Sequence, residues 1–322
     1  QRLRVQARVR DLGGRVLKES GAVEVTMGAG SFEQDVSLDF SWENAMSWSP
    51  AEPTLYKLQL VLHDEEGPLL DVGYPVRFGF RDFRIRDSNF HLNDKKFHVF
   101  YMSSSGGIWM RWSQYFGAYP EKTREAVRIL KENGYNTIGV GISWGQGQAL
   151  GRTPHFQHHI LDAADELGML VVLWAPPLGK FMDKERYGEC IKNYVRTWGN
   201  HPSVAFYLTT FNTCGYAWAQ QPSKVDDLTY ERVDKKEARA LALQSDAILA
   251  QHDATRVPFH NCSGNLTKLY TTMHYMSFGL PMQEREDWPS KWSRTRKTAF
   301  MPSEVGLPYQ GQFADFTYGH HG

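Results

Sequence analysis

The sequence PHFQHHILDAADELGMLVVLW, residues 154–174, decides the fold class. Its residues 154–167 carry apolar side chains at helical spacing, and Gly168 follows at the point where such a helix ends. Residues 169–174 are wholly apolar, as in a strand that is buried on both faces. A helix followed at once by a buried strand predicts a parallel sheet that is covered by helices.

The same alternation repeats along most of the chain. Amphipathic stretches predict helices over residues 120–133, 154–167, 184–198 and 235–252, with a further helix around 283–294. Apolar runs predict strands over residues 97–102, 136–142, 169–174, 204–210, 257–259, 269–274 and 298–303. This order predicts an α/β barrel of the TIM type, (β/α)8, over residues 86–322. We expect it to be incomplete at its C-terminus, with the parent protein continuing past Gly322, because residues 309–322 offer no eighth strand.

Residues 1–85 follow a different pattern, with apolar side chains at every second position. Leu3, Val5, Ala7 and Val9 fall on one face of a strand, and a turn signal follows at residues 11–14. Further strands are predicted over residues 22–27, 32–38, 55–63 and 70–80, with a hairpin loop at 64–67. Short strands with polar turns and no helical period predict a β-sandwich of immunoglobulin-like size.

Composition and charge exclude several classes of function. Lys and Arg together number 36, as do Asp and Glu, so the basic surplus of a nucleic-acid binder is missing. No run of 18 apolar residues predicts a membrane span. The three cysteines lie far apart, which argues against a disulfide scaffold or a zinc site. We therefore expect no cofactor, no metal, no nucleic acid and no membrane partner; the cellular location and oligomeric state stay undetermined.

Three histidines at helical spacing form the one pattern that resembles a metal site. His155, His158 and His159 lie at the start of a predicted helix, with no acidic ligand nearby in the sequence. We interpret them as a surface cluster.

The residues that follow the predicted strands indicate a carbohydrate ligand. In such barrels the chemistry lies where strands end and loops begin. These positions carry amide, imidazole and indole groups, which suit a neutral polyhydroxylated molecule. The candidate ligand-contacting residues are Trp109, Trp144, Trp174, Thr213, His260, Asn261 and Asn265, with Trp112 and Trp218 as further aromatic platforms. Core packing is the alternative for each Trp, and Asn261 and Asn265 also begin glycosylation sequons.

Glu304 ends the seventh predicted strand and is the strongest candidate for a catalytic residue. A carboxylate there, beside His274 and Tyr275 from the preceding strand, can attack an anomeric carbon. The alternative is a structural glutamate that accepts hydrogen bonds from loop backbone.

Six short motifs occur in a characteristic order. They are WSPAEPTLY (48–56), GFR (79–81) with FHLN (90–93), LKENGYN (130–136), DELGMLV (165–171), NHPSV (200–204) and SEVG (303–306). Together they resemble glycoside hydrolase family 2, the β-galactosidase, β-glucuronidase and β-mannosidase group, over nearly all of the chain. The resemblance implies retaining hydrolysis of β-linked glycans. It makes Glu304 the nucleophile and Tyr275 its neighbour, and we expect Asn212 and His274 to orient the sugar.

The chain departs from the family pattern at several strand ends. The fourth strand of the family ends in Asn-Glu, whose Glu is the acid/base, whereas this chain has Asn212 and Thr213. Gly139 stands near a family Arg, and Leu173 and Trp174 stand where the family has Asp-Glu. Within these residues we expect no counterpart of the family's N-terminal sugar-binding sandwich or of its eighth strand.

A threonine cannot protonate a leaving group near neutral pH, and loss of general acid catalysis costs about 10²–10⁴-fold in rate. Three interpretations stay open: another carboxylate serves as the acid, the substrate needs none, or the protein binds a glycan without cleaving it. A purely structural barrel is a further class. The candidate acids are Asp226, Asp227 and Glu231, followed by Glu284, Glu286 and Asp287.

Overall fold

The chain folds into two compact units. A computed structural model describes residues 2–30, 33–102, 120–140, 154–176, 178, 183–211, 236–261, 266–274, 294 and 298–305. The first unit comprises Gln1–Arg81 with Asn200–Pro202, and the second comprises Asp82–Gly199 with Ser203–Gly322.

The first unit is built on one antiparallel sheet. Its strands are β1 (Arg2–Arg10), β2 (Val16–Glu19), β3 (Val23–Thr26), β4 (Tyr56–Asp64), β5 (Leu69–Val72) and β6 (Val76–Phe78). β1 and β4 form the centre; β2 and β3 pair with the outer edge of β1, and β5 and β6 pair with that of β4. The described residues form this single six-stranded sheet, so the immunoglobulin-like sandwich stays a prediction.

One face of this sheet is apolar, as the period-two pattern predicts. Val5 pairs with Leu62, Ala7 with Leu60 and Val9 with Leu58, and cross-strand partners share a face. Val76 joins them by pairing with Leu58. Ala7 and Val9 are buried, whereas Leu60 and Val76 are 48% and 49% exposed. The apolar face is therefore only partly covered.

The predicted strand over residues 32–38 is wrong, because residues 33–38 have no regular secondary structure. The positions beside β1 and β4 are already filled by four short strands, so no edge of the central pair is left for this segment. The predicted strand 70–80 is interrupted at Gly73, whose N–H donates to Leu60 O at 2.8 Å. It becomes β5 and β6 instead.

The second unit begins with a small antiparallel sheet that the sequence pattern did not reveal. It consists of β7 (Phe83–Arg86), β8 (Asn89–Leu92) and β9 (Lys95–Phe97). Both of its turns have two central residues with positive φ, at Asp87 and Ser88 and at Asn93 and Asp94, as in type I′ hairpins. β7 belongs to this sheet, and the two compact units divide at Arg81 and Asp82; the domain boundary at 85/86 stays a prediction.

Seven parallel strands follow. They are β10 (Tyr101–Met102), β11 (Thr137–Val140), β12 (Leu170–Trp174), β13 (Val204–Phe211), β14 (Val257–Asn261), β15 (Leu269–His274) and β16 (Ala299–Val305). The first five form one sheet in chain order, and β15 pairs with β16. Sequential parallel order with helical crossovers is that of a (β/α) barrel, and the described strands make up part of one.

Four described helices alternate with these strands, close to the predicted positions. They are α1 (Pro120–Glu132), α2 (Pro154–Leu167), α3 (Lys184–Trp198) and α4 (Lys236–His252). α2 ends at Gly168, which has φ 72°, where Met169 N–H donates to Ala164 O at 2.9 Å. α3 begins after Asp183, whose Oδ1 accepts the N–H of Arg186 at 2.8 Å. A glycine with positive φ after α2 and an aspartate cap before α3 therefore explain why pattern reasoning located these helix ends.

Apolar side chains fill both sides of the parallel sheet. Between sheet and helices lie fully buried side chains such as Ile138, Ile160 and Leu161. On the other side, the ring of Phe206 lies 5.1 Å from that of Phe83 and 6.2 Å from that of Phe259. The small sheet β7–β9 thus packs against side chains of β13 and β14 on the side away from the helices.

Candidate functional site

The carboxyl ends of the parallel strands carry the residues that the sequence singles out. Trp174 ends β12, Asn261 ends β14, His274 ends β15, and Glu304 lies one residue before the end of β16. Parallel strands in register end at the same edge of a sheet, and Phe211 at the end of β13 pairs with Asn261. The backbone therefore brings together the carboxyl ends of β13 and β14 and, likewise, those of β15 and β16.

Glu304 follows an irregularity in the pairing of β15 with β16. Thr272 pairs with Pro302, and the next pair joins Met273 to Glu304, so Ser303 is an extra residue on β16. Such a bulge changes the face on which the following side chains lie. Val305 pairs with His274 directly after it. The two candidate residues thus lie at neighbouring positions of one strand pair, and their side chains lie outside the described part of the structure.

β13 contains a second bulge, at the equivalent end of the other strand pair. Leu208 pairs with Phe259 and Thr210 pairs with His260, so Thr209 is the extra residue. In β13 and β16, the extra residue thus lies shortly before the residues predicted to bind or attack the sugar. Bulges are frequent next to active sites, because they re-aim a side chain without disturbing the rest of the sheet.

His260 lies in the layer between the sheet and α4, where both ring nitrogens have protein partners. Its Nε2 lies 2.8 Å from Asp246 Oδ2, and its Nδ1 lies 3.0 Å from Thr210 Oγ1. The imidazole is 2% exposed. These contacts give no support to a direct contact between His260 and a ligand. Sequence reasoning could not find the partner Asp246, which lies on α4, 14 residues earlier.

Asn261 follows His260 and is 3% exposed. Successive side chains of a strand point to opposite faces, so Asn261 points away from the α4 side that His260 occupies. A buried amide at a strand end is compatible with hydrogen bonding to a ligand or to protein groups. Asn261 stays a candidate for ligand binding.

Trp174 is buried, with 8% of its surface exposed. Its carbonyl oxygen accepts a hydrogen bond from the hydroxyl of Tyr194, on α3, at 2.6 Å. An aromatic platform for a sugar needs a free ring face, and the burial of Trp174 favours the packing alternative.

Most other predicted site residues lie outside the described residues. This holds for every candidate acid and for most of the aromatic candidates. They are Asn212, Thr213, Tyr275, Asn265, Trp109, Trp112, Trp144, Trp218, Asp226, Asp227, Glu231, Glu284, Glu286 and Asp287. Their assignments stay predictions.

Three ionisable side chains of α3 have raised pKa values. Burial raises the pKa values of the Tyr187 and Tyr194 phenols. Burial also raises the pKa of the Cys190 thiol, and a protonated thiol is a poor nucleophile. The ring of His158, from the histidine cluster, lies 4.5 Å from that of Trp198 and is tilted by 51° to it.

None of the helices that the structure describes has both the length and the apolar character needed to span a membrane.

Comparison with known proteins finds similarity to glycosidases. Residues 1–81 match the model of glycosyl hydrolases family 2. The β-galactosidase of Halalkalibacterium halodurans is 36% identical over 76 residues, which cover 24% of this chain and 7% of that protein. A β-galactosidase large subunit of Lactobacillus acidophilus is 38% identical over 82 residues, which cover 23% of this chain and 13% of that subunit. The chain thus aligns with only a small part of these relatives.

Solved structures extend the likeness to nearly the whole chain. β-Glucuronidase 2 of Bacteroides uniformis has 18% identity and a TM-score of 0.62, covering 92% of this chain and 35% of that one. The β-glucuronidase of Parabacteroides merdae has 19% identity and a TM-score of 0.64, covering 95% and 35%. A β-galacturonidase of Eisenbergiella tayi has 16% identity and a TM-score of 0.57, covering 94% and 51%. At these identities the likeness shows a common fold.

Proposed function

We propose that this relative of the family-2 glycosyl hydrolases hydrolyses a β-linked glycan with retention, and that Glu304 is its nucleophile. The observation that carries the proposal is the location of Glu304 in β16, directly after the bulge at Ser303 and opposite Met273. Carboxylates at the carboxyl ends of barrel strands are well placed for catalysis. The family resemblance of SEVG, residues 303–306, supports the same assignment.

In the proposed reaction, a carboxylate oxygen of Glu304 attacks the anomeric carbon and the aglycone departs with the electron pair of the glycosidic bond. Water then attacks the same carbon, loses one proton to the solvent and releases the Glu304 carboxylate, so that two inversions give net retention. His274, Tyr275, Asn212 and Asn261 would hydrogen-bond the sugar. No metal or cofactor is needed for these steps.

The departing oxygen needs a proton unless the aglycone is already a stable anion. Thr213, in the position of the family acid, cannot supply it near neutral pH. We therefore expect slow hydrolysis of unactivated glycosides, or an acid drawn from Asp226, Asp227 or Glu231. Since relatives are named β-galactosidase, β-glucuronidase and β-galacturonidase, galactosides and uronides come first among the substrates to test.

The alternative is a protein that binds a glycan without cleaving it, and Thr213 favours it. Both possibilities are tested by intact mass after incubation with 2-fluoro-glycosides that carry activated leaving groups. These leaving groups need no acid, so Thr213 does not limit the first step. We expect a mass gain of one sugar, lost in Glu304→Gln and kept in Glu132→Gln, whose carboxylate pairs with Arg128 on the exposed side of α1.

A sugar adduct on any other residue would disprove the assignment of Glu304. Absence of an adduct in the wild-type protein, together with tight sugar binding by calorimetry, would favour the glycan-binding alternative.

A further inference from the structure

The buried imidazole of His260 joins three side chains into one network behind the strand ends. Asp246, on α4, accepts a hydrogen bond from Thr209 Oγ1 at 3.1 Å through Oδ1 and contacts His260 Nε2 through Oδ2. The other ring nitrogen lies 3.0 Å from Thr210 Oγ1 and 3.3 Å from Thr209 Oγ1. Thr209 and Thr210 are buried, and the Asp246 side chain is 13% exposed.

This network depends on the bulge in β13. In a regular strand the side chains of consecutive residues point to opposite faces. Here the hydroxyls of Thr209 and Thr210 reach the same ring nitrogen, because Thr209 is the extra residue of the bulge. The imidazole therefore contacts the two residues that make β13 irregular.

With an ionised carboxylate and a neutral imidazole, hydrogen-bond chemistry gives the network one consistent arrangement of protons. An ionised carboxylate only accepts hydrogen bonds, so Nε2 of His260 carries the proton that is shared with Asp246. In the neutral imidazole Nδ1 is then an acceptor. Since the hydroxyl of Thr209 donates to Asp246, the hydroxyl of Thr210 is the donor to Nδ1. Each group has a defined role, as expected of a buried network that holds one conformation.

We propose that His260, held by Asp246, is a positioning residue that fixes the bulge and thereby the carboxyl ends of β13 and β14. Thr210 directly precedes Phe211, which pairs with Asn261, the residue after His260. The network thus contacts the chain one residue before each of these paired strand ends. Asn261, and Asn212 after Phe211, are the residues that the proposed function assigns to the sugar, so the effect on a ligand rests on that function.

The positioning role is tested by hydrogen exchange of the full-length chain, measured on peptides from the two ends of β13 and β14. The double variant His260→Leu/Asp246→Leu removes the network without leaving an unpaired buried charge, and so should fold. Asp246→Asn keeps the shape and can still bond His260 in its other tautomer. Tyr207→Phe is the control. Tyr207 lies on β13 before the bulge, and this variant removes only its hydroxyl, which donates to Asp253.

We expect exchange at the carboxyl ends to rise about tenfold or more in the double variant, because local opening follows local stability. The peptides from the amino ends should stay within about twofold of wild type. Asp246→Asn should recover most of the protection, and Tyr207→Phe should leave the carboxyl ends unchanged. Equal rises at both ends would show a general stabilising role and overturn the proposal, as would unchanged exchange at the carboxyl ends.

Sugar binding supplies the second readout. Calorimetric affinity for a sugar-like iminosugar inhibitor should fall about tenfold in the double variant and recover in Asp246→Asn. If the wild-type protein binds no sugar at all, the proposed function fails, while the exchange pattern still decides whether His260 positions the strand ends.

Discussion

The guanidinium of Arg256 lies 2.6 Å from the carboxylate of Asp253, and the two side chains are only 12% and 4% exposed. The same guanidinium donates to the backbone carbonyls of Val204, at 3.2 Å, and Gly199, at 2.5 Å. The pair thus ties the end of α3 and the start of β13 to the loop before β14. The Arg256 guanidinium thus has hydrogen-bond acceptors although it is largely buried, and such charge-assisted hydrogen bonds are stronger than neutral ones.

Replacement of Arg256 by Met should lower the free energy of unfolding by about 3–5 kcal/mol, because it leaves the buried Asp253 carboxylate without its cation. Chemical denaturation measures the loss. Arg2→Gln is the matched control, since Arg2 pairs with Glu65 at 2.7 Å on the surface. Exposed pairs contribute less than about 1 kcal/mol, and equal losses in the two variants would contradict the prediction.

Ser88→Gly should stabilise the second unit by about 1 kcal/mol, because Ser88 has φ 57° and a side chain disfavours this left-handed conformation. The opposite substitution, Gly134→Ser, should lower the free energy of unfolding by a similar amount. Gly134 has φ 88°, and an added Cβ would lie in open space. Thermal unfolding of both variants checks the opposite signs. Lower stability of Ser88→Gly would show that the serine has a compensating role.

Tyr194→Phe should make the protein less sensitive to alkaline pH. Burial holds the pKa of Tyr194 well above its usual value near 10, so above about pH 10 the unfolded chain loses a proton that the folded chain keeps. The contribution of the buried, protonated Tyr194 to stability is fully present below about pH 10. Above that pH the free energy of unfolding falls as pH rises.

Urea denaturation between pH 8 and about pH 11 separates this effect from the lost hydrogen bond to Trp174 O. The lost bond shifts stability equally at all pH values, whereas the titration changes only the slope. An unchanged slope in Tyr194→Phe would argue that other groups dominate the alkaline loss.

Thr213→Glu should raise the hydrolysis of glycosides with poor leaving groups by about 10²–10⁴-fold if the missing acid is the limiting defect. The isosteric Thr213→Gln cannot give up a proton and serves as control. Activated aryl glycosides should show little difference between the two variants. Equal rates for both variants on unactivated substrates would indicate that another group already supplies the proton.

The helices and parallel strands of the second unit could be predicted because their signals are local. Helix α2 is closed by Gly168, α3 is preceded by Asp183 as cap, and apolar runs mark β12 and β13. The family-2 likeness is confirmed for residues 1–81 by the match to the family model, and the solved structures share the fold of nearly the whole chain. The site residues themselves stay predictions.

What could not be predicted depends on contacts between distant residues. The turns of β7–β9 use Asp87, Ser88, Asn93 and Asp94 at positive φ, where a glycine would have signalled a hairpin. The role of His260 depends on Asp246 in another element, and the strand expected at 32–38 failed because the sheet edges were already occupied. Local pattern carries no information on such pairings.

The bulges at Thr209 and Ser303 affect how the sequence aligns with related chains. Thr209 and Ser303 each add one residue to a strand whose side chains otherwise alternate, so each reverses the parity of every position after it. A gap-free alignment with an unbulged strand would assign the wrong face to Glu304. Deletion of Ser303 should therefore be more harmful than any substitution there, since it would turn the following residues to the opposite side.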